Sequence, residues 1–464
     1  MVFASLIFIF LFLPLSLTLY FASGNKAYRN WILVLFSLFF YAWGEPFWII
    51  VLIFSASVDF VNAILMERHR QHARLCLILS LAVNLGLLGT FKYGGFIVEN
   101  INALLGISMH VPSFALPIGI SFYTFQTMSY VIDVYRGEVR AQQSYLRFLM
   151  YVSLYHQLVA GPIVRYADIE QEINNRSVSG SEMSRGFIRF CFGLFKKVYF
   201  ANIAGELVAQ FLDVDPTTMT TGGSWYGLLM FALQIYFDFS GYSDMAIGLG
   251  WMYGFHYLEN FKYPYTATSA SDFWRKWHMS LGSFFRDYVY IPLGGNKKNV
   301  ARNLFVVWFL TGLWHGASWN FIMWGLYFGF LIWIERMFLL GLLSKIPKFI
   351  SHVYLVFIAL VGWAIFYFTD LGKLGSFFKV MFGGGANESW NLQLTESLKG
   401  HVWWLIAALV MCMPVFGRAT VIMEKKFSMK AHFWILAVTA FCLFLVSIAL
   451  LVGKTFNPFL YFRF

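Results

Sequence analysis

The chain has 464 residues, of which 59% are hydrophobic and 12% are charged, whereas about 25% of residues are charged in an average soluble protein. This composition excludes a soluble globular enzyme and predicts an all-α polytopic membrane protein. The formal net charge is +11, but the basic residues are scattered over short loops, so the sequence does not indicate a nucleic-acid partner. The four cysteines lie singly, and neither they nor the histidines have the spacing of a metal site.

Apolar runs long enough to cross a bilayer, about 17 to 25 residues each, recur along the whole chain. They lie near residues 2–22, 31–55, 75–91, 114–132, 187–211, 225–252, 303–313, 318–335, 350–368, 402–416 and 432–452. The first run lacks the basic segment and the small-residue cleavage site of a signal peptide, so we expect it to remain as a helix. Because no internal repeat is visible, we predict one membrane domain over 1–464, surrounded by membrane lipid, with eleven or twelve crossings.

The distribution of charge predicts the orientation of these helices. Basic clusters occur in "ERHRQHAR" at 67–74 and "GGNKKNVARN" at 294–303, whereas the loops near Glu45, at 213–223 and at 383–397 are acidic or neutral. Lysine and arginine are enriched in cytoplasmic loops of membrane proteins. The basic loops are therefore predicted to be cytoplasmic and the N-terminus to lie outside.

The segment 260–302 departs from the pattern of simple spanning helices. It is amphipathic, rich in tryptophan and basic residues, and interrupted by Pro264, Pro292 and the pair Gly294 and Gly295. Irregular backbone is tolerated at membrane depth only where protein or a water-filled cavity satisfies its polar groups. We therefore expect short re-entrant or interfacial helices here, at the cytoplasmic mouth of a central funnel.

A histidine lies in the next apolar stretch, "TGLWHGASWNFIMWG" at 311–325. A helix that begins near Leu304 and rises about 1.5 Å per residue brings His315 to the middle of a hydrocarbon core about 30 Å thick. Gly312 and Gly316 predict a close approach of helices, and "GASWN" predicts a break after the histidine. His315 either serves chemistry or forms hydrogen bonds between helices, and its position alone favours neither.

A second histidine, His278, lies in "DFWRKWHMSLGSFFRDYVYIPLGGN" at 272–296. One interpretation is that a second imidazole faces the same cavity from the cytoplasmic side. The other is that Trp274 and Trp277 anchor an ordinary helix at the membrane surface. The residues by themselves favour neither interpretation.

These two stretches, together with "LVAGPIVRY" at 158–166, "FDFSGYSDMAIG" at 237–248 and "FNPFLYFRF" at 456–464, resemble the membrane-bound O-acyltransferase (MBOAT) family. The likeness is to its bacterial branch, which includes the membrane proteins of alginate O-acetylation and teichoic acid D-alanylation. It implies that His315 is the catalytic histidine and His278 the second catalytic position. It also implies a ring of helices around a thin funnel, with a catalytic core at about 114–335.

The resemblance implies O-acyl transfer, most readily of acetyl, from a cytoplasmic thioester to an exported or cell-wall polysaccharide such as alginate, cellulose or peptidoglycan. The hydroxyl needs a base, and imidazole has an unperturbed pKa of about 6.5, so His315 acts as general base or as nucleophile. The donor is acetyl-coenzyme A or a carrier-protein thioester, no resident cofactor is expected, and a secreted acetyltransferase partner completes delivery outside the bacterial inner membrane. The basic residues predicted to attract the donor are Arg275, Lys276, Arg286, Lys297 and Lys298.

Other polar residues of the funnel are predicted to support its structure. Trp314, Ser318 and Asn320 hold the bent helix in shape or donate hydrogen bonds to an oxyanion. For Asp238 and Asp244 we favour a network with neighbouring hydroxyl groups, those of Tyr236, Ser240 and Tyr242, over a catalytic acid. Arg165 is predicted to pair with a carboxylate at a re-entrant turn.

Two alternative functions follow from the same residues. One is D-alanyl transfer to teichoic acid, by a member of the same branch. The other belongs to a different class, a secondary transporter, but transporters of that kind usually show paired halves with corresponding broken segments, and the sequence shows none.

Overall fold

The computed structural model describes residues 1–158, 161–385, 388–453 and 460, and within them the regular structure is entirely helical. The α-helices are α1 Leu13–Phe21, α2 Lys26–Gly44, α3 Ile49–Arg68, α4 Ala73–Leu88, α5 Gly94–Leu105, α6 Ile120–Arg136, α7 Tyr145–Ser153, α8 Tyr155–Leu158, α9 Tyr166–Asn174, α10 Gly180–Phe195, α11 Asn202–Phe211, α12 Thr221–Tyr253, α13 Ala270–Trp274, α14 Met279–Phe285, α15 Val300–His315, α16 Trp319–Ile334, α17 Leu340–Leu343, α18 Lys348–Tyr367, α19 Leu371–Met381, α20 Leu392–Met411, α21 Val415–Lys426 and α22 Met429–Leu451. The expected all-α class is confirmed.

Short wider turns join several of these helices. They are π-helical segments, in which each N–H bonds to the carbonyl five residues earlier. Described segments of this kind are Phe8–Phe12, Gly89–Tyr93, Lys196–Ala201, Arg286–Tyr290 and Glu335–Leu339. Turns of the tighter 3₁₀ type are Arg70–His72, Pro216–Thr218 and Pro264–Thr266.

Five helical stretches of the described chain are long and apolar enough to cross a membrane. They are Ile49–Arg68, Arg70–Leu105, Trp319–Leu343, Lys348–Tyr367 and Met429–Leu451, and a sixth results if Leu392–Met411 and Val415–Lys426, bent by 65°, form one span. The chain is thus a multi-pass membrane protein. Other predicted apolar runs lie in helices outside this set, such as the run at 303–313 in the 16-residue α15, and the eleven or twelve crossings stay a prediction.

The chain folds into two compact units. The first comprises Met1–Phe190 with Tyr242–Glu259, and the second comprises Cys191–Gly241 with Asn260–Phe464. Helices α10 and α12 each contribute residues to both units. Both candidate histidines belong to the second unit.

In the first unit, polar side chains inside apolar helices bind one another. Asp59 in α3 is fully buried, and its carboxylate accepts hydrogen bonds from Nδ2 of Asn84 in α4 at 2.8 and 3.0 Å. Oδ1 of Asn84 accepts from Ser55 Oγ at 2.7 Å and from Thr127 Oγ1 at 3.3 Å. These bonds link three helices and satisfy groups whose burial alone is costly.

In the second unit, α15 and α16 form a closely packed helical pair. A Cβ atom added at Gly312 would collide with the carbonyl oxygen of Phe321, and one added at Gly325 would collide with that of Trp308. Only glycine allows the two backbones to lie so close. The close approach predicted for Gly312 is confirmed, and it fixes the position of the helix that carries His315.

A buried ion pair lies in the same unit. Lys197, in the π-helical segment Lys196–Ala201, places Nζ 2.8 Å from Oδ1 of Asp238 in α12, and both side chains are 4% exposed. Lys197 also donates to Asn202 Oδ1 at 3.0 Å, and the backbone N–H of Leu460 donates to Asp238 Oδ2 at 2.7 Å. Asp238 is therefore held by a cation and by the C-terminal segment. The rest of the motif "FNPFLYFRF" lies outside the described residues.

Candidate active site

His315 is the last residue of α15. The following Gly316 has φ −171° and ψ 158°, so the chain leaves the helix in an extended conformation immediately after the histidine, as the sequence predicted. The imidazole is 8% exposed and packs against aromatic rings, with centroid distances of 5.0 Å to Trp314, 4.9 Å to Trp324 and 5.3 Å to Phe366. The end of α15 and these three aromatic rings thus fix the position of the imidazole.

His278 lies between the short helices α13 and α14. Its φ of 44° and ψ of 54° are in the left-handed region, which non-glycine residues rarely adopt and which is typical of functional sites. The side chain is 2% exposed, and its ring lies 4.7 Å from Phe239 and 5.9 Å from Trp314. The short helices expected in 260–302 are present in the structure.

Trp314 connects the two histidines. Its indole contacts the imidazole of His278, the residue that precedes α14. It also contacts the imidazole of His315, the last residue of α15. The structure therefore brings together the two residues that the sequence motifs identified from segments 37 positions apart. An imidazole pair beside one aromatic wall is suited to hold a hydroxyl and an acyl group close to each other.

Asn260 and Ser280 belong to this site, and the sequence analysis did not identify them. Nδ1 of His278 lies 3.1 Å from Asn260 Oδ1, the same oxygen that accepts from Ser280 Oγ at 2.9 Å and from Ser280 N at 3.3 Å. The backbone N–H of Met279 donates to the carbonyl of Asn260 at 2.9 Å. The sequence gives little indication of this contact, since Asn260 is only the first residue of the irregular segment 260–302.

A buried carboxylate holds α13 in place. Glu335 is fully buried and accepts hydrogen bonds from the backbone N–H of Ala270 at 2.6 Å and of Ser271 at 2.8 Å, and from Ser271 Oγ at 2.6 Å. Negative charge at a helix N-terminus satisfies N–H groups that have no partner inside the helix. Glu335 thereby fixes the segment that leads to His278, although it is far away in sequence.

Asn320 and Ser318 lie at the start of α16. Nδ2 of Asn320 donates to the carbonyls of Ile365 at 3.2 Å and Phe366 at 3.1 Å, so its amide hydrogens tie α16 to the end of α18. Ser318 precedes the helix in an extended conformation, with no hydrogen bond from its side chain to the helix. In this structure Asn320 supports the site rather than donating to a substrate.

The five basic residues predicted to attract the donor lie at or near the protein surface, and three of them contact groups of the chain itself. Nζ of Lys276 is 2.8 Å from Asp272, Arg286 pairs with Asp287 at 2.6 Å, and Arg275 donates to the carbonyl of Ser271 at 3.1 Å. Lys297 and Lys298 are exposed.

Two further candidates, Asp244 and Arg165, belong to the first unit. Oδ1 of Asp244 is 2.8 Å from Nη2 of Arg189, which also binds Glu259, so its partner is an arginine that the sequence analysis did not single out. The backbone N–H of Arg165 donates to Asp168 Oδ2 at 3.2 Å at the start of α9. In the motif "LVAGPIVRY", residues 159 and 160 lie outside the described chain.

The helical fold is that of a polytopic membrane protein, and the two histidines lie beside one indole. A model of the MBOAT, membrane-bound O-acyltransferase family, matches residues 31–371, a range that includes both His278 and His315. The chain belongs to the membrane-bound O-acyltransferase family and is an acyltransferase.

Curated relatives agree with this assignment. The chain is 37% identical to the probable alginate O-acetylase AlgI of Pseudomonas putida, with 100% of each chain covered. It is 35% identical to the peptidoglycan O-acetyltransferase of Helicobacter pylori, over 71% of this chain and 69% of the relative. The teichoic acid D-alanyltransferase of Bacillus subtilis is more distant, with 27% identity over 45% of this chain and 56% of the relative.

Proposed function

We propose that this enzyme transfers an acetyl group from a cytoplasmic thioester, across the bacterial inner membrane, to hydroxyl groups of an exported or cell-wall polysaccharide. The observation that carries the proposal is that His278 and His315 contact the same indole, Trp314, inside the segment that matches the family. The relatives named for alginate and peptidoglycan acetylation supply the acceptor class. D-alanyl transfer is less well supported, because the relative named for it is more distant.

The reaction needs one proton acceptor and no redox partner. The hydroxyl oxygen forms a bond to the acyl carbon, the carbon–sulfur bond breaks, and the electron pair stays on sulfur. The hydroxyl proton passes to an imidazole and then to the thiolate, so the products are an ester and a thiol. His315 acts either as the base in a direct transfer or as the nucleophile that forms a transient acyl-imidazole.

Transfer of the acyl group alone solves a transport problem. A coenzyme A thioester is a large polyanion whose entry into hydrocarbon is very costly, whereas its narrow pantetheine arm carries no charge. Arg275, Lys276, Arg286, Lys297 and Lys298 would attract the phosphates at the cytoplasmic face. A carrier-protein thioester would present the same arm.

The test of catalysis is the substitution His315→Ala in membranes supplied with labelled acetyl donor. We expect transfer to acceptor polysaccharide to fall by at least about 10²- to 10⁴-fold, the usual contribution of a general acid–base group. His401→Ala is the matched control, because His401 lies in α20 and its Nδ1 is 2.9 Å from the carbonyl oxygen of Ser397 in the same helix. Normal acetylation in the His315→Ala protein would overturn the catalytic assignment, and label retained on wild-type protein would identify His315 as nucleophile.

The proposed orientation places the N-terminus outside and the loop at 294–303 in the cytoplasm. We would introduce Lys297→Cys or Glu45→Cys into a protein with Ser at position 442, because Cys442 is the exposed native cysteine of the described chain. A membrane-impermeant thiol reagent added from outside should label the cysteine at 45 and leave that at 297 unmodified. Labelling of position 297 from outside would reverse the orientation.

The proposal also includes a secreted partner on the outer face. We would supply acetyl donor to the cytoplasmic side of proteoliposomes and measure acetylation of polysaccharide outside, with and without a secreted acetyltransferase from the same organism. Dependence on that protein is the expected result. Complete acetylation by the membrane protein alone would exclude a two-protein relay and leave the acyltransferase activity in place.

A further inference from the structure

Nε2 of His278 is one of several buried side-chain atoms that have no hydrogen-bond partner among the described residues. The side chain is only 2% exposed. Buried polar atoms are usually paired, and this one lies on an imidazole that contacts Trp314 in the candidate site. The surrounding contacts determine which chemical role Nε2 has.

The amide of Asn260 determines the tautomer of His278. The backbone N–H of Ser280 points at the side-chain atom of Asn260 that also faces His278, at 3.3 Å. A backbone N–H only donates, so this atom is the amide oxygen and not the nitrogen. Because His278 Nδ1 lies 3.1 Å from the same oxygen, Nδ1 carries a hydrogen.

In a neutral imidazole with a hydrogen on Nδ1, Nε2 carries a lone pair and accepts hydrogen bonds. Burial favours this neutral form over the charged one. Nε2 is therefore an acceptor directed away from Asn260. The atom it requires as a partner is a hydrogen-bond donor, and the hydroxyl of an acyl acceptor is such a donor.

The position of Asn260 is itself fixed by the start of α14. Its carbonyl accepts from Met279 N at 2.9 Å and its side-chain oxygen from Ser280 N, so one residue satisfies two N–H groups at the helix N-terminus. His278 adopts the left-handed conformation at that point, with φ 44°. Asn260, the start of α14 and the imidazole consequently form one hydrogen-bonded group.

We propose that Asn260 is a positioning residue that holds His278 in the tautomer with a free lone pair on Nε2, so that this atom receives the proton of the acceptor hydroxyl. The proposal rests on the proposed acyl transfer. With His278 as the base, His315 has the nucleophile role: its imidazole takes the acyl group as the carbon–sulfur bond breaks, and the imidazole proton passes to the thiolate. The hydroxyl oxygen then bonds to the acyl carbon as the carbon–nitrogen bond to His315 breaks, and the hydroxyl proton passes through Nε2 to the departing nitrogen of His315. Asn260 exchanges no proton in this sequence.

The decisive variant is Asn260→Asp. The carboxylate keeps an oxygen for Nδ1–H and for the N–H of Ser280, and the backbone carbonyl still accepts from Met279 N. The carboxylate also adds a negative charge that favours protonated His278. The acidic limb of the profile of acyl-transfer rate against pH should therefore move to higher pH by about one to three units. A role in folding alone would leave this profile where it is in the wild type.

Two further variants complete the experiment. Asn260→Leu removes the acceptor for Nδ1–H and should lower the rate by about 10²- to 10⁴-fold at every pH. Ser283→Ala, in the same helix, removes only a bond from Ser283 Oγ to the carbonyl of Ser280 at 2.8 Å and should leave rate and profile unchanged.

The outcomes separate this inference from the function on which it rests. An unchanged pH profile in Asn260→Asp, or full activity in His278→Ala, would overturn the positioning role while His315→Ala remained inactive. Full activity in His315→Ala would instead refute the proposed function. If Asn260→Leu fails to accumulate in the membrane, the pH profile of Asn260→Asp decides the question.

Discussion

The group around Asp59 in the first unit and the group around His278 in the second bury polar atoms in different ways. Asp59, Asn84 and Ser55 bind one another, and the hydrogen bonds link neighbouring helices. His278 is bound only at Nδ1, which lies 3.1 Å from Asn260 Oδ1 and 3.4 Å from Ser280 Oγ, and its second nitrogen has no partner among the described residues. A closed group of this kind stabilises a fold, whereas a group that stops at one free acceptor is arranged for a reacting molecule.

The largest loss of stability is expected at the buried ion pair of Lys197 and Asp238. Lys197→Leu would leave the buried carboxylate of Asp238 without its cation, and we expect a loss of about 4 kcal/mol, the range for breaking a buried ion pair. The midpoint of thermal unfolding in detergent measures this loss. The double variant Lys197→Met with Asp238→Leu should recover most of it, since both charges are removed; an equal loss in the double variant would contradict the explanation.

A smaller effect is expected at the carboxylate that caps α13. Glu335→Gln turns an amide group towards the backbone N–H groups of Ala270 and Ser271, so we expect a loss of about 2 to 3 kcal/mol, the range for hydrogen bonds to a charged group. Glu396→Gln is the matched control, because Glu396 is exposed and pairs only with Lys399 at 3.3 Å. Equal unfolding midpoints for the two variants would show that Glu335 does not hold the segment leading to His278.

Gly312→Ala tests the close approach of α15 and α16. We expect it to lower the free energy of unfolding by about 2 kcal/mol, because the added Cβ overfills a tightly packed contact. Transfer should slow as well, since displacement of α15 moves His315. Gly341→Ala in α17 is the control, because an added Cβ there has no atom within 4 Å. Equal unfolding midpoints for the two alanine variants would contradict the packing described.

The smallest effect is expected from Ser55→Ala. It removes one hydrogen bond to Asn84 and should cost about 1 kcal/mol, with acyl transfer per folded molecule unchanged. This result would sharpen the distinction between the two groups. A large loss of transfer with an unchanged unfolding midpoint would show that the group around Asp59 takes part in the reaction.

The sequence predicted those features that depend on neighbouring residues. The end of the helix at His315 follows from Gly316 and the polar residues after it, and the short helices of 260–302 follow from prolines and glycines within a few positions. The class of protein follows from composition. Each of these inferences uses residues that are close in the chain, for which local physical rules hold.

Features formed by distant residues were not predicted. Asp238 was expected to interact with hydroxyl groups near it, but Lys197, 41 positions earlier, supplies its ion pair. Glu335 reaches Ala270 across 65 positions. A single sequence shows that a polar residue lies in an apolar run and therefore needs a partner, but not which partner the fold brings to it.

The π-helical segment Lys196–Ala201 has a consequence for how the gene tolerates change in length. Lys197 and Asn202 are five residues apart, and in this wide turn their side chains bind each other at 3.0 Å. A wide turn holds one residue more than an α-helical turn, so loss of one codon within the segment would restore an ordinary α-helix with little rotation of the helix beyond it. Asn202 and α11 would then keep their direction, so loss of a single residue should be tolerated better in this segment than inside α11, where it would rotate the rest of the helix by about 100°.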